Sequence, residues 1–282
     1  MLKASDKTED KPLITLSYIS ENAVLLEWPE KICAEQHQHI MFCQQQAAAF
    51  LKEIMIDSIA SYASLIIYYK FEKIQHDTLN TFLLELIQRP IHNNNQTSAS
   101  DSSKHIVPVE NSIIEIPVYY DEEAGWDIQT VAQQTQLSID EVIQLHSQTT
   151  YRAYALGFTP GFCYLGKLPA QLQLPRKSSP RLSVPKGAVA IAEQQTAIYP
   201  NTSPGGWHII GQTPLDMYHV NLDVTSDKNI ENSKENTFDK ENNNSQDSQF
   251  KSTIQVGQSV RFISITRTEF LSLGGEFIKE TR

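Results

Sequence analysis

The chain has 282 residues, enough for two domains or one large β-rich one, and its 40% hydrophobic and 20% charged content is that of a soluble globular protein. A formal net charge of −10 gives it no basic field for nucleic acid or an anionic membrane, and neither is expected as a partner. The first eleven residues are polar and charged, and the longest apolar run, 65–69, is far too short to cross a bilayer, so a cytoplasmic location is expected.

The elements can be read in chain order. Residues 13–20 alternate apolar and polar side chains, 23–28 do so less strictly, and Glu21-Asn22 between them reads as a tight turn, which predicts a hairpin. From Pro29 onward the spacing turns helical, with Ile32, Ile40, Phe42, Ala47, Phe50, Leu51 and Ile54 on one stripe of an Ala- and Gln-rich segment. His37 and His39, two apart on that helix, fall on opposed faces, so no metal pair is expected there and both are read as facing solvent. Residues 64–69 read as a buried strand. Residues 77–89 read as a second helix, with Asp77 or Thr78 as N-cap and Leu79, Phe82, Leu83, Leu86 and Ile87 inward. The order ββαβα implies a small α/β unit.

The polar stretch Asn93 to Ser100 reads as a linker with too little apolar surface to order itself. Residues 112–120 form a strand that Pro117 places near an edge or a bulge. Two helices follow: Asp127 is positioned to cap the first, and Ser138 with Glu141 has capping-box form for the second, which ends near His146. The pair resembles a helix-turn-helix only superficially, because its second helix has neither Arg nor Lys to meet phosphates. Residues 221–250 are nearly all Asn, Ser, Asp, Glu and Lys and read as a disordered loop, after which the apolar alternation of 254–266, turning at Gly257-Gln258, closes the β unit. Cys33, Cys43 and Cys163 share no CxxC or zinc-type spacing and are expected as reduced, mostly buried thiols, with no metal site.

Most glycines and prolines lie between Tyr151 and Tyr218, in a run otherwise apolar and aromatic. No helix survives that punctuation, so the segment is expected as short strands joined by shaped loops, the usual place for binding. No phosphate loop, GxGxxG, GxSxG or HExxH is present. The runs Tyr154-Ala155-Leu156-Gly157-Phe158-Thr159-Pro160-Gly161-Phe162, Tyr164-Leu165-Gly166, Pro175-Arg176, Pro180-Arg181-Leu182-Ser183-Val184-Pro185, Gln195-Thr196, Ile198-Tyr199-Pro200 and Ser203-Pro204-Gly205-Gly206-Trp207 closely resemble the PxpB family, the B subunits of 5-oxoprolinase. That family is also known as the kinase A inhibitor KipI family and as allophanate hydrolase subunit 1.

The resemblance implies an α+β protein, with a small α/β N-terminal domain at 1–106 and a cyclophilin-like β-barrel domain at 107–282 that carries the 221–250 insertion. It implies a subunit, inactive alone, that works with the A and C subunits to open the lactam 5-oxo-L-proline to L-glutamate using ATP. The alternatives within the resemblance are a regulatory inhibitor of a sensor histidine kinase and half of a biotin-dependent carboxyltransferase. Arg176 and Arg181 are candidates to hold a carboxylate or phosphate bidentately, although an arginine beside proline also commonly pairs with an acid or with loop carbonyls. Gln195, Thr196 and Tyr199 are candidates to hydrogen-bond a small amide, or else satisfy buried backbone. Gly205 and Gly206 serve a tight turn or let backbone amides approach a ligand, and Trp207 is expected in the core. Catalytic residues are not assigned, and no role is carried onto His208. Cys163 stands where the family usually has proline, and Lys167, Lys186, Glu193 and Ala197 stand where it has small residues; Lys186 and Glu193 read as a compensating pair or the mark of a divergent ligand.

Overall fold

A computed structural model describes residues 14–89, 113–221 and 249–280. Strands β1 (Thr15–Ser20) and β2 (Ala23–Glu27) form the expected hairpin, followed by helix α1 (Ala34–Leu51), strands β3 (Met55–Ala60) and β4 (Ser64–Tyr69) and helix α2 (His76–Gln88). The four strands make an antiparallel sheet in the order β1-β2-β4-β3. The helices bury Ile40, Ala47, Leu51, Leu79, Leu83 and Leu86 against Val24, Leu26, Leu65 and Ile67 of the sheet. Strand β3 is the element that the helical stripe conceals: Ile54 ends a 3₁₀ turn after α1, and the alternation of Met55 to Ala60 belongs to an edge strand. Helix α2 starts one residue before the expected cap, with Gln75 at the N-cap and no side-chain cap bond.

The remaining elements build a barrel. They are β5 (Ile114–Val118), α3 (Ile128–Thr135), α4 (Ile139–Gln148), β6 (Thr150–Leu156), β7 (Cys163–Gly166), β8 (Arg181–Val184), β9 (Ala188–Ala192), β10 (Gln195–Ile198), β11 (Ser203–Gly205), β12 (His208–Gln212), β13 (Tyr218–Asn221), β14 (Gln249–Ser252), β15 (Ser259–Ser264) and α5 (Arg267–Ser272). Seven strands run in the order β12-β9-β10-β7-β6-β15-β5, all antiparallel except β15 with β5. Pro117 thus sits on the last strand of the order, as its missing donor requires. Just past it, Tyr119 exchanges backbone hydrogen bonds of 2.9 and 3.0 Å with Gln212, which closes the ring.

Alternation along the strands separates two apolar clusters. One draws on all seven barrel strands, with Val118, Tyr151, Leu165, Ile191, Ile198, Ile210 and Phe262 packed with Val131 and Val142 of α3 and α4. The other lies on the opposite face of β7, β10, β9 and β12, where Ala188, Ala190, Ala192 and Ala197 leave room for Phe162, Tyr199 and Trp207. Ser138 and Glu141 complete the capping box read from the sequence. His146 is fully buried: the Tyr120 hydroxyl donates to its Nδ1 at 2.7 Å, and its Nε2–H donates to Thr196 Oγ1 at 2.9 Å. Thr196 passes its own proton to the Ala190 carbonyl at 3.1 Å, which fixes that tautomer.

His37 is not solvent-facing. It is fully buried, accepting from Arg152 Nε at 2.9 Å through Nδ1 and donating from Nε2 to the Tyr154 carbonyl at 2.9 Å, so one imidazole joins α1 to β6. The turn of α1 toward the barrel explains this, because the partners lie more than a hundred residues away in sequence. His39 is half-buried and accepts from Trp28 Nε1 at 3.0 Å. All three cysteines are free thiols, Cys43 and Cys163 buried and Cys33 partly so. No helix among the described residues is long and apolar enough to cross a membrane.

The 93–100 linker, the boundary proposed at 106/107 and residues 222–248 lie outside the described residues. Asn221, Gln249 and Phe250 do not belong to a loop, because β13 and β14 pair directly, Asn221 opposite Gln249. Replacing 222–248 with a short Gly/Ser turn is therefore expected to leave the fold intact, since closure entropy changes only slowly with loop length. Loss of soluble protein, or a lowered melting temperature, would contradict it.

The two buried imidazoles also set a pH dependence. Burial, helped by the Arg152 charge, brings His37 down to about 4, and burial brings His146 down to about 3, from an ordinary 6.5. Below the ordinary value the unfolded chain binds more protons than the folded one, so their contribution is complete above it and is lost as pH falls toward the folded values. Urea unfolding at a series of pH values is expected to show stability decreasing between about pH 6.5 and about pH 4, with a shallower slope in His37→Gln. An unchanged slope in that variant would remove His37 from the account.

Candidate functional site around Asp127 and the proline-rich loops

Asp127 occupies the N-cap position of α3, yet its side chain makes no cap bond. It turns inward and is 2% exposed. Four donors converge on it: Lys177 Nζ reaches Oδ1 at 2.7 Å, Arg181 places its two terminal nitrogens on Oδ1 and Oδ2 at 2.8 Å each, and the Ile209 N–H reaches Oδ2 at 2.8 Å. Burial pushes the carboxyl pKa up, but the bonds from Arg181, Lys177 and Ile209 outweigh it and hold the group below its ordinary value, so it is a carboxylate. Helix α3, the 175–180 loop, β8 and β12 meet at this one side chain.

Arg181 is consequently not a free fork for a ligand. The carboxylate it grips bidentately is the protein's own, and its Nε donates to Glu280 at 2.6 Å while the guanidinium lies 5.5 Å from the Trp126 ring centre. Burial works against its charge, and Asp127 and Glu280 more than restore it. Pairing with an acid, the alternative use of arginine beside proline, is what the fold selects here.

Arg176 is placed differently. Its side chain is 58% exposed, its Nε is 3.7 Å from Glu193, and its guanidinium lies 5.9 Å from the centre of Trp207. The two terminal nitrogens meet no acid among the described residues, so the bidentate face remains available. Tyr164 stands next to it: burial raises the phenol pKa and the Arg176 charge opposes that rise. Glu193, in the turn between β9 and β10, brings Arg176 near Gln195, which is half-buried at the start of β10. These groups rim an aromatic wall in which Phe162 meets Tyr164, Tyr199 and Trp207 at centroid distances of 4.9, 5.4 and 6.0 Å.

The other sequence candidates lie behind that wall. Thr196 is fully buried and spends its hydroxyl between His146 and Ala190, so it is not open to an amide ligand. Tyr199 is buried, with its pKa pushed up to about 12 by burial against a hydrogen bond from the Trp207 backbone. Its hydroxyl fills the space in which any Cβ on Gly205 would lie, so Gly205 is required by close approach. Gly206 is under no such constraint; a Cβ there would rest 3.6 Å from Pro180, and its carbonyl accepts from the Lys177 N–H at 2.8 Å. Trp207 is in the core, as expected. His208 is buried and donates from Nε2 to the Pro175 carbonyl at 2.9 Å. Lys186 and Glu193 do not pair with each other: Lys186 binds Asp216, and Glu193 faces Arg176.

Asp127, Lys177 and the Tyr120–His146 pair escape a reading of the sequence alone. The available signal for Asp127 is its place between Trp126 and Ile128 at a helix start, which also reads as an ordinary cap. No group of three or more His, Cys, Asp or Glu side chains suited to a metal occurs among the described residues.

The Asp127 cluster predicts a graded series. Arg181→Met removes one partner of a buried pair and is expected to cost about 3 kcal/mol, whereas Arg181→Lys keeps the charge, loses the fork and costs roughly 1–2 kcal/mol. Thermal unfolding of both variants checks the order; wild-type melting in Arg181→Met would show that the cluster does not hold the fold.

Comparison with known proteins agrees with this architecture. Residues 14–226 match the family described as carboxyltransferase domain, subdomain C and D. The chain is 35% identical over 209 residues to the B subunit of 5-oxoprolinase from Bacillus subtilis, covering 72% of this chain and 83% of that protein. It is 49% identical over 109 residues to the Escherichia coli O157:H7 protein of the same name, covering 39% of this chain and 50% of that one. Among solved structures, TTHA0988 superposes with a TM-score of 0.63 at 27% identity, covering 86% of this chain but 40% of its own. Kluyveromyces lactis urea carboxylase superposes over 95% of this chain and 23% of its own, with a TM-score of 0.60 at 15% identity, a likeness of fold alone. The chain belongs to the carboxyltransferase domain, subdomain C and D, family, and within it to the family of 5-oxoprolinase B subunits.

Proposed function

We propose that this chain is the B subunit of an ATP-dependent 5-oxoprolinase that opens 5-oxo-L-proline to L-glutamate together with the A and C subunits. The observation that carries the reading is its 35% identity across 83% of a protein named as the B subunit of 5-oxoprolinase. The chemistry explains why one subunit would not suffice. A lactam carbonyl is a poor electrophile; ATP transfers its terminal phosphoryl group to the carbonyl oxygen and leaves as ADP, water adds to the carbon, the C–N bond breaks to give an acyl phosphate, and a second water releases phosphate and L-glutamate. Phosphoryl transfer needs cations directed at the transferred group, and here Lys177 and Arg181 are engaged by Asp127 and Glu280. The partners are therefore assigned the activation step.

Arg176 is this chain's contribution to binding in that scheme. Its open guanidinium face beside Tyr164 suits the carboxylate of 5-oxoproline, and Gln195 at the same rim suits the lactam amide. The aromatic wall behind them excludes water from one side of the ring.

The test is reconstitution. Purified chain mixed with its cognate A and C subunits is expected to release L-glutamate from 5-oxoproline only when ATP is present, and to release none when the chain is omitted. An ATP-dependent turnover by A and C that ignores this chain, or none in the complete mixture, overturns the assignment.

A further inference from the structure

A cavity of about 590 Å³ lies away from Arg176, between the turn that follows β12 and the segment that follows α5. Its volume is within the range of small-molecule pockets, roughly 300–1,000 Å³. Lys186, Gln212 and Asp216 form one side, and Leu273, Glu276 and Ile278 form the other.

Both walls are fixed by contacts of their own. On the first, Gln212 Nε2 donates to the Lys186 carbonyl at 2.8 Å, the Thr213 N–H donates to the Gly187 carbonyl at 2.9 Å, and the Lys186 ammonium pairs with the Asp216 carboxylate. On the second, Phe277 stacks on Phe270 at 5.0 Å, sits 5.7 Å from Tyr119 and lies under the Arg267 guanidinium at 5.1 Å, while Glu280 is held by Arg181. Gly275 has no room for a Cβ against the Phe270 ring, so this segment is seated on α5.

The charge of the lining selects a ligand class. Its ionisable groups are one cation, Lys186, and two acids, Asp216 and Glu276, a net single negative charge. Asp216 is paired with Lys186, whereas Glu276 has no ion-pair partner among the described residues. A lone carboxylate facing a polar cavity is complemented by an ammonium group, and the two hydrogens that Lys186 does not give to Asp216 are complemented by a carboxylate. One small molecule supplies both a few bonds apart.

We propose that this cavity binds a free α-amino acid, with the ammonium between Glu276 and Asp216 and the carboxylate on Lys186. The inference rests on the charge and shape of the cavity and not on the assignment to 5-oxoprolinase. Leu273 and Ile278 give it an apolar side for the aliphatic part of the ligand.

Titration calorimetry on the full chain, without other subunits, separates the outcomes. L-glutamate and glycine serve as probes carrying the ammonium, and glutarate as the probe lacking it. Saturable binding of at least one amino acid, absent for glutarate and weakened about tenfold or more in Glu276→Gln, is expected. Glu276 is exposed, so this variant is expected to melt like the wild type. Binding of glutarate equal to that of L-glutamate, undiminished binding in Glu276→Gln, or no saturable binding of either amino acid overturns the site. Because no turnover is measured, failure of the 5-oxoprolinase assignment leaves this result unaffected, and the reverse is also true.

Discussion

The barrel's outer face depends on one buried charge. An isolated carboxylate at the position of Asp127 would cost several kcal/mol to desolvate, and the fold offsets this with four donors drawn from three separate parts of the chain. Removing any donor leaves the others inadequately matched, so Lys177, Arg181 and the Ile209 amide hold their places jointly. Arg181 extends the linkage to Glu280, which makes the segment after α5 part of the same electrostatic unit. The 175–180 loop, with a proline at each end, is thereby held at Lys177 as well as by its own stiffness.

That rigidity sets the division of labour between the two arginines of the proline-rich run. Five residues apart in sequence, Arg181 has a side chain 12% exposed and Arg176 one 58% exposed, and the difference follows from which is near Asp127. The buried one fixes the loop and the exposed one is displayed by it. The aromatic wall has the same logic. Small alanines on β9 and β10 leave room for Phe162, Tyr199 and Trp207 to pack edge to face against the barrel, and Gly205 must lack a side chain because the Tyr199 hydroxyl occupies the space.

What was legible in the sequence was local. The hairpin at Glu21-Asn22, strand β4, the apolar face of α2 and the Ser138–Glu141 capping box are each specified by residues a few positions apart, and each is found. The motif-bearing run was legible as strands and shaped loops because glycine and proline act on their own backbone. Strand β3 was hidden because Ile54 continues the stripe of α1 in phase, and a short edge strand gives a weak alternating signal. The burial of His37, the pairing of Asp127 with Arg181 and the separate partners of Lys186 and Glu193 depend on residues brought together by the chain's path. No local spacing encodes them. Of the site candidates, the residue types carried chemistry as expected, but only the path of the chain shows which arginine is already occupied.

The hydrogen-bonded line from Tyr120 through His146 and Thr196 to the Ala190 carbonyl has a consequence for how α4 is seated. Apolar packing is non-directional and tolerates a helix turned slightly about its axis, because Val142 meets other hydrophobic side chains about equally well in neighbouring settings. A line of donors that runs one way, each atom with a single partner, does not tolerate it. If α4 rotated or slid by a fraction of a turn, at least two fully desolvated polar groups would lose their partners with no water to replace them. The imidazole therefore acts as a key that selects one azimuth of the helix against the barrel, and uniqueness of packing, more than added stability, is what it contributes.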